Sequence, residues 1–113
     1  MPHDYLQIAT TTESKDDAAR IAAALVERRL AACVHVVGPI ASTFGWEGRI
    51  DTAEEWQCVA KTRRDLYPMV EQAIRELHSY EVPEIIATPI VAGSRAYLDW
   101  IDGAVLPKAA EDK

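Results

Sequence analysis

His78, Tyr80, Glu81 and Glu84 stand together in HSYEVPEII, residues 78–86. An imidazole flanked by two carboxylates is a ligand set suited to a divalent cation such as Cu(II) or Zn(II). The same residues also suit a joint between elements. A histidine at the end of a helix can bond the last carbonyls and is favoured there as a cation. Pro83 would stiffen the entry to a following strand. A second pair, Cys33 and His35, lies two residues apart on a predicted strand, hence on one face. A thiolate beside an imidazole would suit copper or zinc, but two ligands do not make a site. A buried thiol beside a half-exposed imidazole accounts for the pair equally.

The remaining motifs exclude more than they suggest. The loop after the first strand, TTTESKD, has no glycine to cradle a phosphate, and its acids would repel one. No G-x-S-x-G, H-E-x-x-H or C-x-x-C occurs. Asp16 and Asp17 read as acids favoured by a helix dipole, and Glu54 and Glu55 as a solvated turn. His3 lies in a frayed terminus. No catalytic constellation emerges, so no enzymatic activity is expected.

These residues need elements to hold them. YLQIATTT (5–12) alternates Leu6, Ile8 and Thr10 on one face and predicts a strand. Ser14 caps a helix from about Lys15 to Leu30, with Ala18, Ile21, Ala22, Leu25 and Val26 as its apolar stripe. A second strand begins at Ala31, is bulged or kinked at Gly38-Pro39, and resumes over 41–50. The turn is expected at DTAE (51–54), with the third strand over 55–62. Together these strands form a long arm of nearly 20 residues out and 8 to 10 back. DLYPMVEQAIRELH (65–78) is strongly amphipathic through Leu66, Met69, Val70, Ala73, Ile74 and Leu77. A fourth strand over 85–93 contains Pro89, which points to an edge or a bulge. Ser94 caps a short helix over 94–105. The order β-α-β-β-α-β plus a terminal helix is the ferredoxin-like α+β arrangement, with two helices on one face of a four-stranded antiparallel sheet.

The chain of 113 residues reads as one domain, 1–113, with an ordered core at 5–105 and a polar tail at 106–113. A net charge of −6 argues against nucleic-acid backbones and anionic membrane surfaces as partners. No apolar run is long enough to span a membrane, and MPHDYLQIA lacks the pattern of a signal peptide. Two cysteines make no disulfide framework and suit a reducing cytoplasm.

LAACV (30–34), STFGWEGRI (42–50), VAKT (59–62), HSYEVPEII (78–86) and YLDWI (97–101) occur in this order. With them the chain resembles the divalent-cation tolerance proteins, the CutA family, from about Tyr5 to Ile101. The resemblance implies a tight homotrimer whose arms pair edge to edge. It implies a cytoplasmic, non-enzymatic protein linked to tolerance of copper and other divalent metals. On that reading His78 binds metal weakly with Glu81 or Glu84, and with Cys33 nearby. Phe44, Trp46, Lys61, Tyr80 and Pro83 line a cleft between subunits. There Lys61 either pairs with Glu81 or Glu84 in an interface salt bridge or faces a pocket for a metal or small ligand. The trimer is similar to that of the PII nitrogen-signalling proteins, which implies an alternative: a signalling trimer that binds a small molecule in the cleft and acts on a protein partner. This chain departs from the copper-binding pattern. Thr10 stands where such relatives carry a cysteine, and Leu77 replaces the first of two paired histidines.

An arm with unpaired edges and an uncovered sheet face calls for a partner copy. The thermal midpoint is therefore expected to rise with protein concentration. A low midpoint that ignores concentration in calorimetric scans would defeat the oligomer.

Overall fold

The computed structural model describes residues 4–108. His3 and positions 109–113 of the polar tail lie outside the described residues. Along the chain come β1 (Tyr5–Thr12), α1 (Lys15–Glu27), β2 (Cys33–Trp46), β3 (Arg49–Arg63), α2 (Tyr67–Leu77), β4 (Ile86–Pro89) and α3 (Arg95–Ala104). A single 3-10 turn, Arg64–Leu66, leads into α2. The sheet order is β2-β3-β1-β4, and every pairing is antiparallel. This is the expected α+β order.

Alternation along the strands divides the sheet into two unlike faces. Leu6, Ile8 and Thr10 of β1 point the same way as Cys58, Ala60 and Thr62 of β3, and all are buried. Against them pack Ala18, Ile21 and Leu25 of α1 and Val70, Ala73 and Ile74 of α2. Both helices thus cover one face. Met69 is the exception to the expected stripe of α2, since it is exposed. On the opposite face α3 covers only one end, where Tyr5 donates to Asp102 at 2.6 Å and Arg63 approaches the same carboxylate at 3.7 Å. No described helix lies over the centre of that face.

Both predicted caps form. Ser14 Oγ accepts from Asp17 N–H at 3.0 Å and Ser94 Oγ from Tyr97 N–H at 3.2 Å. Helix α1 stops at Glu27 and not at Leu30, because Arg29 turns left-handed (φ 58°) and Leu30 N–H folds back to Leu25 C=O at 2.9 Å. Arg29 then serves a different helix. Its guanidinium donates to the carbonyls of Gly103, Ala104 and Val105, the exposed C-terminal end of α3.

The arm differs from the expectation in its turn. The chain reverses at Glu47–Gly48, not at 51–54. Both residues have positive φ, 49° and 78°, the conformation whose twist matches a two-residue hairpin. Strands β2 and β3 are consequently near-equal, 14 and 15 residues. Strand β2 begins at Cys33, two residues later than expected. The register shift expected near Gly38-Pro39 is present between Val37 and Ile40. Beyond it, Ile40 to Trp46 pair only with Arg49 to Glu55, so the hairpin projects past β1 and lengthens the molecule to 53 × 27 × 24 Å. Strand β4 ends at Pro89, four residues before the expected Gly93, and lies at a sheet edge. At the other end Leu106 is held. Its N–H donates to Arg29 C=O at 2.9 Å and its C=O accepts from Arg63 at 2.7 Å, so order extends past the expected boundary at 105.

The kink depends on Gly38 having no side chain. A Cβ there would sit 2.5 Å from Trp56 Cδ1 and 2.8 Å from Cγ, closer than carbon atoms tolerate. The Gly38→Ala substitution should cost about 1–3 kcal/mol by overpacking. Denaturant unfolding checks this, and an unchanged midpoint would remove Trp56 as the reason for a glycine here.

Candidate functional site

The structure sorts the sequence-predicted site residues into three groups. The first gathers around the segment after α2. Helix α2 ends at Leu77, and His78 turns to extended backbone (ψ 142°). That turn aims its ring back at β1, where Nε2 lies 2.8 Å from Thr11 C=O. A carbonyl only accepts, so Nε2 carries the proton. Nδ1 accepts from the Tyr80 N–H at 3.1 Å. The neutral tautomer is thereby fixed, and both ring nitrogens are engaged. The Tyr80 ring packs beside the imidazole with centroids 4.9 Å apart. Its hydroxyl donates to Glu55 Oε2 at 2.7 Å, tying this segment to the root of the arm.

Glu55 was expected in a solvated turn. It lies instead within β3 and is only 9% exposed. The expected third strand only began at this residue; with the turn at Glu47–Gly48, Glu55 stands well inside β3, opposite Ile40. Burial, the bond to Glu55 and the charges of Glu55, Glu13 and Asp17 push the Tyr80 phenol well above its ordinary range. The surroundings are thus acidic, and Ser79 adds a long contact to Glu13 at 3.5 Å. Glu81 and Glu84 take no part. Both are exposed, and Pro83 between them is half-buried.

The second group lies on the uncovered face. Cys33 pairs across strands with Lys61, and Lys61 Nζ lies 3.2 Å from His35 Nδ1. Within the chain this group is remote from the first. Thr11 is level with Gln57, four residues along β3 from Lys61, and Cys33 is two strands over from β1. At ~3.3 Å per residue and ~4.8 Å per strand the separation is roughly 16 Å. One subunit therefore does not bring Cys33 to His78. Cys58, on the opposite face, is buried, and its thiol is pushed up to about 11 by that burial. The third group, Phe44 and Trp46, stands in the arm, 42% and 62% exposed.

The described residues hold no group of three or more His, Cys, Asp or Glu side chains arranged to grip a metal. The larger surface hollows lie elsewhere, around Arg64, Pro68 and Leu106, with about 720 Å³ in the most spacious. They are open and share no residue with the His78 group.

Residues 6–104 match the family described as CutA1 divalent ion tolerance protein. The chain belongs to the CutA1 family. Among its relatives, the divalent-cation tolerance protein CutA of Archaeoglobus fulgidus is 43% identical over 91% of this chain and 98% of its own. The protein of the same name from Thermus thermophilus is 42% identical over 83% of this chain and 91% of its own. The solved structure described as the periplasmic divalent cation tolerance protein CutA of Archaeoglobus fulgidus matches with a TM-score of 0.88 at 42% identity, covering 90% of this chain and 99% of that one. CutA1 from Oryza sativa gives 0.89 at 33% identity, over 92% and 95%. The CutA1 fold thus accounts for the arm, the sheet and all three helices.

The phenols offer a direct check of this geometry. All four tyrosines have raised pKa values: Tyr80 as above, Tyr5 up to about 12 chiefly through its bond to Asp102, and Tyr67 and Tyr97 through burial first. A raised folded pKa means that the folded chain holds its phenol protons longer than the unfolded chain. The stability they supply is complete below pH ~10 and falls as pH rises through 12. Ultraviolet titration of the folded protein should show little phenolate at pH ~10, and Tyr80→Phe should remove the last group to ionise. Ordinary ionisation of all four would contradict the Tyr80–Glu55 and Tyr5–Asp102 bonds.

Proposed function

We propose that this protein serves tolerance of divalent cations as a homotrimer, binding Cu(II) or another divalent metal weakly and without catalysis. The names of its relatives support tolerance, and the open arm and uncovered sheet face support assembly. The observation that carries weak binding is the state of His78. Its one lone pair, on Nδ1, already accepts the Tyr80 N–H. A metal must displace that bond and strand the amide. The loss is about 1–3 kcal/mol, or roughly 5- to 150-fold in affinity. Once freed, the imidazole stands beside Tyr80 with Glu55 behind it, and Glu81 and Glu84 remain at the surface to supply oxygen ligands. Cys33 joins them only if a neighbouring subunit brings it. Thr10 is no competitor for copper, being a hydroxyl shut beneath the helices. The compartment we propose is the cytoplasm, in keeping with two thiols that face opposite sides of the sheet and stay unbonded. The signalling alternative has no observation of its own to favour it.

Calorimetric titration of metal-free protein with Cu(II), then Zn(II), tests the metal. One site per subunit is expected, with His78→Ala at least about tenfold weaker. Absence of saturable binding, or an unchanged constant in the variant, would leave His78 as a joint between α2 and β1.

A further inference from the structure

Tyr80 is held between His78 and Glu55. Its N–H donates to His78 Nδ1 at 3.1 Å, and its ring lies against the imidazole. Its hydroxyl donates to Glu55 Oε2 at 2.7 Å. Residues 79–85 are otherwise lightly tethered. Glu81, Val82 and Glu84 are exposed, and among the described residues the segment adds only the long Ser79 contact to Glu13 at 3.5 Å.

The far end of this tether is the root of the arm. Strand β1 ends at Thr12, level with Trp56. Glu55 is therefore the first residue of β3, counted toward the arm tip, that has no β1 neighbour. It pairs with Ile40 alone, immediately beyond the register shift. At 9% exposure Glu55 has little access to water, and no cation among the described residues pairs with it. A carboxylate so placed depends on the donor it has, the Tyr80 hydroxyl.

The same bond restrains the imidazole. While the phenol is fixed on Glu55, the Tyr80 amide cannot turn toward water, and His78 Nδ1 stays occupied. A group that takes the Nδ1 lone pair must push the amide away. Moving the amide moves the ring packed on the imidazole, and the phenol with it. Occupation of His78 and the Tyr80–Glu55 bond therefore oppose each other, equally in both directions.

We propose that Glu55, acting through Tyr80, is a positioning residue for His78, and that uptake of a cation on Nδ1 releases Glu55 and loosens the arm at its root. The cation half rests on the metal reading above. The restraint on the imidazole exists without metal.

Tyr80→Phe keeps the ring and removes the tether. Zn(II), titrated calorimetrically into the metal-free full chain, should bind Y80F ~3- to 10-fold more tightly than the parent. Hydrogen exchange followed by mass spectrometry should show amides at 40–42 and 53–56 exchanging faster in the zinc-loaded parent, and as fast in Y80F before zinc is added. An equal or weaker constant in Y80F overturns the proposal, as does arm-root exchange that ignores zinc. Absence of saturable zinc binding in both proteins defeats the metal reading and the cation half with it. The positioning role is then decided in metal-free protein by diethyl pyrocarbonate, which acylates a free imidazole lone pair. His78 should be acylated about threefold faster or more in Y80F, with His35 unchanged as the reference. Equal rates at His78 overturn the positioning role. Should Y80F fail to fold, Glu55→Gln, which offers the phenol an uncharged and weaker acceptor, replaces it in the acylation measurement with the same expected direction.

Discussion

Two positive-φ residues, Glu47 and Gly48, set the register of β2 against β3, and that register decides the face on which every later side chain appears. A slip of one residue would exchange the faces of a strand completely. Cys58 and Ala60 would leave the core, and Lys61 would enter it beneath α1. The shift between Val37 and Ile40 then resets the pairing where the arm joins the sheet. Glu55 stands at this reset, and its carboxylate is there for Tyr80 to reach. The geometry around His78 therefore rests on a turn about thirty residues earlier in the chain.

A second constraint closes the opposite end of the molecule. Arg63 is only 3% exposed at its side chain, and a guanidinium stripped of water must be fully paired. It donates twice to Asp65 and once to Leu106 C=O, and lies near Asp102, which also accepts from Tyr5. This network ties the first strand, the third strand and the last helix together. It seats Ile101 and Val105 in the core although α3 covers little of the sheet.

Elements with strong periodicity were readable from the sequence. Helix α2 announces itself through Val70, Ala73 and Ile74, and both serine caps fall where their residue type predicts. Turn chemistry was harder to read. DTAE looks more like a turn than EG does, and only the twist of a long hairpin favours the shorter one. Strand β4 was overextended because IVAG is apolar, whereas the proline before it ends the pairing. Of the site, His78 and Tyr80 were named, but their partners were not. A backbone carbonyl at Thr11 has no residue-type signal, and Glu55 reaches Tyr80 only after the sheet has formed. Glu81 and Glu84 stood out by proximity in sequence, and neither shares the hydrogen bonds that hold His78 and Tyr80.

The three tryptophans occupy three mechanically distinct stations. Trp46 stands near the arm tip, Trp56 fills the space left by Gly38 at the arm's root, and Trp100 stacks on Tyr97 along α3 with ring centroids 5.5 Å apart. Nature has in effect wired the chain with separate optical probes. Single-tryptophan variants would let emission colour and quenching follow the tip, the hinge and the terminal helix one at a time, without an attached dye.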